Sequence, residues 1–187
     1  MLKRTLNALV LLTGLMLLAP VTTQAKADAP EKTSEKATRK GSSPVALTIR
    51  KVKKVRGKLN DKADYFIYLF SASWCGPCRK EMPEIVETHK EMMATGKVDI
   101  ILFSQDDTPK AAAGFVKNFG IKFLTVMGND KDAAKVPGFA PPTGGIPHCI
   151  VVDREGKRIT SGHPAFIFPK WQKYTIDKED SAPLPAN

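Results

Sequence analysis

Two cysteines separated by two residues, Cys75 and Cys78, are the side chains of this sequence best suited to chemistry. They stand in the segment SASWCGPCRKEMP (71–83). A Cys-x-x-Cys pair can be a redox couple, half of a zinc site or a structural disulfide. Zinc needs a second ligand pair, and a disulfide across so short a loop stabilises little. The other cysteine and histidines form no closely spaced pair: His89, His148, Cys149 and His163. We therefore expect no metal site.

The position of the pair favours redox chemistry. An apolar run, YFIYLFSA (65–72), is typical of a buried strand, and the residues from Gly76 to about Thr95 have the pattern of a helix. Cys75 then lies at a helix N-terminus, where free backbone N–H groups and the helix dipole favour a thiolate. Cys78 lies one turn further along the helix. We predict that Cys75 is the nucleophile and Cys78 the resolving thiol.

Two segments carry a resemblance to a known family. The first, SASWCGPCRKEMP, resembles the active site of thioredoxin-fold proteins, with Pro83 at the place of that family's helix-kinking proline. The second, GGIPHCIVVDREGKRI, resembles the family's cis-proline loop and hairpin, with Ile146 before Pro147. Two further features resemble those of TlpA/ResA-like thiol–disulfide oxidoreductases: a secretory signal pattern at residues 1–25, described below, and an inserted strand and helix at 120–136. The resemblance implies a thioredoxin-like three-layer α/β sandwich with a central mixed β-sheet flanked by helices.

The resemblance also implies roles for individual residues. Pro147 would be the cis-proline that packs against the disulfide and guides the backbone of the substrate. Four residues would contact the substrate: Trp74, Gly76, Pro77 and Ile146. The resemblance implies no cofactor, because the two cysteines themselves carry the redox chemistry.

One departure from the cytosolic thioredoxins concerns proton transfer. Those proteins have a buried aspartate six residues before the first cysteine, and here that position is Leu69. ResA-like proteins have a glutamate three residues after the second cysteine, and Glu81 occupies that place. Residues 78 and 81 are neighbours on a helix surface, so Glu81 can accept the proton of Cys78. An exposed helix glutamate without such a role is the alternative.

Several nearby residues have an ordinary structural interpretation. His148 follows Pro147 and is expected to be a strand histidine, with tuning of Cys75 as the alternative. Cys149 lies in the run CIVV and is expected to be a small buried hydrophobe. Arg79 and Lys80 are expected to be solvated.

Strands and helices alternate along the chain from residue 64 onwards. We predict strands at 65–72, 98–104, 121–127 and 146–153, with a hairpin partner at 158–162. Helices are predicted at 76–95, with its buried face at Met82, Ile85, Val86, His89 and Met93, and at 109–119. Gly96 and Gly120 are the predicted stops, and Asp107 or Thr108 the predicted N-cap of the second helix. Short helices are expected at 129–136 and 164–175, and one or two edge strands at 44–60.

The chain divides into four segments. Residues 1–25 have a short basic start, an apolar core and small residues near a cut after Ala25 or Ala27, which is typical of a secretory signal peptide. Residues 26–43 contain no large apolar side chain and are predicted to be a disordered linker. Residues 44–177 form the thioredoxin-like domain, and 178–187 a flexible tail. We expect a monomer that is periplasmic or otherwise exported.

The net charge of +10 is concentrated in part at 49–58, IRKVKKVRGK. This stretch has no aromatic residue for base stacking, so nucleic-acid binding is not expected, and any membrane contact would be peripheral.

Three functions remain in competition. The leading hypothesis is a reductase of protein disulfides, supplied with electrons by a membrane thiol reductant. The alternative is a copper-binding chaperone that uses the same cysteines, with or without His148 as a further ligand. A thiol peroxidase is disfavoured because Ala72 stands where the peroxidases of the family have threonine.

Overall fold

The computed structural model describes residues 41–175. The predicted signal peptide, most of the predicted linker and the predicted C-terminal tail lie outside the described residues. At the start of the described region, Ser43 caps the first helix and the carbonyl oxygen of Gly41 accepts a hydrogen bond from Arg154 at 2.7 Å. The last three residues of the predicted linker therefore contact the domain.

A mixed six-stranded sheet forms the centre of the domain. Its strands are β1 (Lys54–Arg56), β2 (Tyr65–Ser71), β3 (Val98–Ser104), β4 (Leu124–Met127), β5 (His148–Asp153) and β6 (Arg158–Gly162). Their order is β1-β4-β3-β2-β5-β6. The three central strands β4, β3 and β2 are parallel, and the other three are antiparallel to their neighbours. The predicted mixed sheet is confirmed.

In the part of the chain that the structure describes, five helices pack on this sheet. They are α1 (Pro44–Ile49), α2 (Gly76–Thr95), α3 (Pro109–Phe119), α4 (Pro164–Ile167) and α5 (Trp171–Thr175), with 3₁₀ turns at Ala133–Lys135 and Phe168–Lys170. The short helices predicted at 129–136 and 164–175 are thus present as shorter pieces.

The sheet is covered on both faces. Successive side chains of a strand point to opposite faces, so Ile67 and Leu69 of β2 pack with α2, α3 and the C-terminal helices. Phe66, Tyr68 and Phe70 pack on the other face with α1 and the segment around residue 136. Because both faces are buried, β2 and β3 are nearly continuous apolar runs.

Helix α2 has the predicted bounds, and Gly96 ends it in the left-handed conformation with φ 67°. One detail of its predicted face is wrong. Met93 is 44% exposed, whereas Met92 is buried. The buried positions of α2 are Cys78, Met82, Ile85, His89 and Met92. Their spacing alternates between four and three residues, so the buried stripe reaches residue 92 rather than residue 93.

The segment 44–60 departs most from its prediction. We expected one or two edge strands, and one is present: Lys54–Arg56 pairs with β4 at the edge of the sheet, whereas residues 44–49 form α1. The side chain of Ser43 accepts a hydrogen bond from the backbone N–H of Ala46 at 3.0 Å, and Pro44 occupies the first helical position. This capping signal outweighs the β-branched composition of the segment.

The basic residues of the segment are exposed around β1: Lys51, Lys53, Lys54, Arg56 and Lys58. Within residues 41–175, none of the helices has the length and apolarity needed to cross a bilayer.

Candidate active site

The two cysteines form a disulfide at the N-terminus of α2. Their Cα atoms are 5.2 Å apart. Cys75 is the N-cap of the helix, and its sulfur accepts a hydrogen bond from the backbone N–H of Cys78 at 3.2 Å. Cys75 is 5% exposed and Cys78 1%. Cys75 is therefore the more accessible of the two cysteines, and its sulfur also accepts a hydrogen bond from a helix N–H.

This geometry suits a thiolate in the reduced protein. The N–H of Cys78 and the positive end of the α2 dipole would then face the sulfur of Cys75, and both favour its ionised form. Gly76 and Pro77 form the first helical positions, where a proline is compatible with a helix.

The cis-proline loop lies beside the disulfide. The peptide bond between Ile146 and Pro147 is cis, as predicted. The sulfur of Cys75 lies 3.6 Å from the carbonyl oxygen of Ile146. The Ile146 side chain also packs on the small cluster formed by Ala72 and the two cysteines. Residues from the two segments that carry the resemblance thus meet at the disulfide.

A groove of about 730 Å³ opens next to this loop. Its lining includes Pro77, Ile146 and Pro147, together with the chain from Ala140 to Gly145. Trp74 is 64% exposed, and the position where Gly76 would carry a side chain faces open space. The residues predicted to contact a substrate are therefore either exposed or part of this groove.

No carboxylate lines the groove, whereas Arg158, His148 and His163 do. Arg158 donates hydrogen bonds to the carbonyl oxygens of Gly138 at 2.9 Å and Phe139 at 3.2 Å, which fixes the loop that forms one wall. Burial lowers the pKa of His148, and the nearby His163 lowers it further. His148 is the first residue of β5, as expected of a strand histidine, and it also lines the groove.

Glu81 is partly buried on α2 rather than fully exposed. Its side chain is 22% exposed, and its Oε2 is buried without a hydrogen-bond partner among the described residues. Burial raises the pKa of this carboxyl, and the nearby His163 opposes that rise. The sequence left open whether Glu81 is an ordinary surface residue or the proton acceptor of Cys78; its partial burial is compatible with the second role, which stays a prediction.

His163 was missed by the sequence analysis. Its Nε2 lies 3.4 Å from Oε1 of Glu81, and its Nδ1 accepts a hydrogen bond from the backbone N–H of Ala165 at 3.3 Å. The only local signal was its position before Pro164, which makes it the N-cap of α4. Nothing in the spacing indicates that α4 returns to α2.

Asp106 is a second residue that sequence reasoning missed. Its buried carboxylate accepts hydrogen bonds from the backbone N–H of Ser73 at 3.0 Å, the hydroxyl of Ser73 at 2.6 Å and the hydroxyl of Ser104 at 2.8 Å. It thereby ties the loop before Trp74 to the end of β3. The available signal was that polar residues follow both buried strands, because the ends of parallel neighbours meet at one edge of a sheet.

The remaining predictions about single residues follow the ordinary interpretation. Cys149 is a free, fully buried cysteine, and burial raises the pKa of its thiol well above the usual value. Arg79 and Lys80 are exposed. Among residues 41–175, no three His, Cys, Asp or Glu side chains are grouped so that they could hold a metal ion.

Several known proteins with sequences similar to this chain are named as thiol–disulfide oxidoreductases or thiol:disulfide interchange proteins. Thiol-disulfide oxidoreductase ResA from Bacillus thuringiensis subsp. konkukian is 33% identical over 90 residues, which cover 48% of this chain and 49% of that protein. ResA from Bacillus subtilis is 27% identical over 103 residues, with 54% and 55% covered. Thiol:disulfide interchange protein HelX from Rhodobacter capsulatus is 32% identical over 91 residues, with 49% and 47% covered. The chain spans about half the length of the curated relatives it matches.

Solved structures agree with the fold. A thiol:disulfide interchange protein from Bacteroides sp. superposes with a TM-score of 0.55 at 22% identity, covering 71% of this chain and 89% of that one. The thioredoxin domain of a thiol-disulfide oxidoreductase from Bacteroides vulgatus gives a TM-score of 0.52 at 23% identity, with 67% and 91% covered. The thioredoxin fold predicted from the sequence is confirmed.

The family model named Redoxin matches residues 24–167, which is well over half of the chain. Together with the ResA relatives, this match confirms the resemblance to TlpA/ResA-like proteins, and the chain belongs to the Redoxin family.

Proposed function

We propose that this protein is an exported thiol–disulfide oxidoreductase that reduces disulfides of other proteins through the Cys75–Cys78 couple. The observation that carries the proposal is the disulfide at the N-terminus of a 20-residue helix, with the carbonyl oxygen of Ile146 3.6 Å from one sulfur. The names of the ResA and HelX relatives support the same activity.

The reaction begins at Cys75. Its thiolate attacks a sulfur of the substrate disulfide, and the other substrate sulfur leaves as a thiolate. The helix N–H that now bonds to the Cys75 sulfur stabilises the attacking anion. The exposed Trp74 and the groove beside Pro147 offer the surface against which a substrate backbone lies.

Cys78 then resolves the mixed disulfide. Its thiol gives its proton to Glu81, and the resulting thiolate attacks the sulfur of Cys75. The bond between Cys75 and the substrate breaks, and the substrate sulfur leaves with the electron pair. The substrate disulfide has gained two electrons and the protein dithiol has lost two. Glu81 suits this role because its carboxyl is buried, one helical turn from Cys78, with a raised pKa.

The carbonyl of Ile146 favours the reducing direction. A carbonyl oxygen carries partial negative charge, so it disfavours an anion on the nearby sulfur of Cys75 and favours a thiol that donates to it. Reduced forms that are strongly stabilised make strong oxidants such as DsbA. Because the carbonyl of Ile146 opposes the helix N–H, the thiolate of Cys75 is stabilised less than it would be by the helix alone. We therefore expect a couple that is less oxidising than that of DsbA.

The wider setting of the protein follows from the family resemblance. Residues 1–25 act as a signal peptide, 26–43 as a linker whose last residues contact the domain and 178–187 as a tail, and the mature protein is a periplasmic or otherwise exported monomer. A membrane thiol reductant returns the couple to its dithiol form. The exposed lysines around β1 allow peripheral contact with an anionic membrane surface.

The test is the reduction potential of the mature protein, measured by equilibration in glutathione or dithiothreitol buffers. Trp74 fluorescence reports the redox state, and Cys75→Ser is the control. A value near the roughly −270 mV of thioredoxin supports a reductase, whereas a value near the roughly −120 mV of DsbA overturns the reducing direction. If no reversible couple exists, the oxidoreductase proposal fails. Binding of Cu(I) by that protein, lost in Cys75→Ser, would then favour the copper chaperone.

A further inference from the structure

His163 stands between the end of β6 and the start of α4, and both of its ring nitrogens have neighbours. Nδ1 accepts the hydrogen bond of the Ala165 N–H at 3.3 Å, and Nε2 lies 3.4 Å from Oε1 of Glu81. A nitrogen that accepts a hydrogen bond carries no proton of its own. Nε2 is therefore the ring nitrogen left to interact with the carboxyl of Glu81.

The surroundings of Glu81 show why this contact matters. Lys80 and Glu84 approach the carboxyl from its own helix, and Cys149 lies near it on β5. Burial raises the pKa of Glu81 and Glu84 raises it too, whereas His163 and Lys80 lower it, His163 the more strongly. The other carboxyl oxygen is buried without a hydrogen-bond partner among the described residues. His163 is thus a major influence in favour of the carboxylate.

We propose that His163 is a positioning residue that holds the carboxyl of Glu81 in place beneath the active site and favours its ionised form. The inference rests on the proposed function, in which Glu81 accepts the proton of Cys78. His163 forms and breaks no bond in that step. Its contribution is to oppose the effect of burial on the Glu81 carboxyl, so that more of the carboxylate is available to accept the proton.

A single substitution separates this role from the structural role of His163. Asparagine is among the best N-cap residues, so His163→Asn keeps a cap for α4, but its shorter side chain does not reach Glu81. Thr108→Asn is a matched control, because Thr108 is the N-cap of α3 and bonds to the N–H of Ala111 at 3.2 Å. The control has the same kind of cap exchange in a helix that contributes no side chain to the site described above.

The reaction to follow is that of the reduced full chain with dithiobis(nitrobenzoate). Attack by Cys75 releases one nitrothiobenzoate anion, and attack by Cys78 on the mixed disulfide releases a second. The two releases appear as separate phases in stopped-flow absorbance, and the second phase reports the attack of Cys78, which in the proposed function depends on proton transfer to Glu81. Rates of both phases are compared at about pH 6 and about pH 8, because a raised pKa of Glu81 lowers its carboxylate fraction more at the lower pH.

For His163→Asn, the ratio of the second-phase rate at about pH 6 to that at about pH 8 should fall by about two- to fivefold, the size of effect typical of a partly exposed ion pair. The same ratio for Thr108→Asn should equal that of the unmodified chain. In a Glu81→Gln background, His163→Asn should have no further effect on the second phase, because the residue through which it acts is gone.

A direct readout is carbon-13 NMR of the Glu81 carboxyl. Its titration midpoint should move to higher pH in His163→Asn and not in Thr108→Asn. An unchanged midpoint together with an unchanged rate ratio overturns the inference while the proposed function stands. Absence of a second phase in the unmodified chain overturns both. An equal effect of His163→Asn with and without Glu81 would show a merely structural role and also overturn the inference.

Discussion

Asp106 offers a sharp test of how the active-site loop is held. We predict that Asp106→Ala destabilises the domain by about 3 kcal/mol, because three donors lose a buried acceptor and net contributions of about 1 kcal/mol or more per bond are typical for charged partners. The donors are the N–H and hydroxyl of Ser73 and the hydroxyl of Ser104, at 3.0, 2.6 and 2.8 Å. Relief from burying the carboxylate reduces the loss, and the unpaired donors increase it.

The assay is urea unfolding of the oxidised protein, followed by Trp fluorescence. Asp107→Ala is the matched control, since this neighbouring aspartate is exposed and its loss should change the free energy of unfolding by less than about 0.5 kcal/mol. Ser73→Ala should cost about 1 kcal/mol and should couple with Asp106→Ala in a double-mutant cycle. If Asp106→Ala unfolds at the same urea concentration as Asp107→Ala, the carboxylate does not hold the loop and the reasoning is wrong.

Two further predictions concern the groups beneath the disulfide. The thiol of Cys149 is fully buried with a strongly raised pKa, so iodoacetamide should label Cys75 of the reduced native protein first and reach Cys149 only after unfolding, as read by mass spectrometry; labelling of Cys149 in the native state would contradict its buried placement. Glu81→Gln should raise the free energy of unfolding at neutral pH, and this gain should vanish below about pH 4.5, the ordinary value for glutamate. The sign follows from the raised pKa of Glu81. The folded state binds the proton more tightly than the unfolded state, so the stability of the unmodified protein falls as the pH rises through that pKa. A stability gain of Glu81→Gln that persists in acid would contradict this argument.

Local signals made much of the fold predictable. The N-terminus of α2 follows from a buried run that ends at a cysteine with Gly-Pro behind it, and Gly96 gives the C-terminus. Strand β3 is a continuous apolar run with clear breaks on both sides. In each case, residues within a few positions determine the conformation, and distant contacts agree with them.

The errors arose where two local signals competed or where the cause was distant. Residues 44–49 have β-branched side chains typical of a strand, but the Ser-Pro start commits them to a helix whose buried face is Val45, Ala46 and Ile49. The contacts of Glu81 with His163, and of Ser73 with Asp106, join segments that are far apart in the sequence. No periodicity or motif in one segment indicates which side chain of another will face it.

Two acidic residues near the disulfide show how surroundings assign different roles to the same chemical group. The carboxylate of Asp106 accepts three hydrogen bonds from two serines, and these directed contacts suit a residue that fixes a loop. Glu81 has one oxygen at 3.4 Å from a histidine nitrogen and another buried without a partner among the described residues. An unsatisfied buried oxygen is costly as an anion and gains by accepting a proton. Of the two acids, Glu81 therefore fits the proposed exchange of a proton with Cys78, whereas Asp106 holds the loop that precedes Cys75.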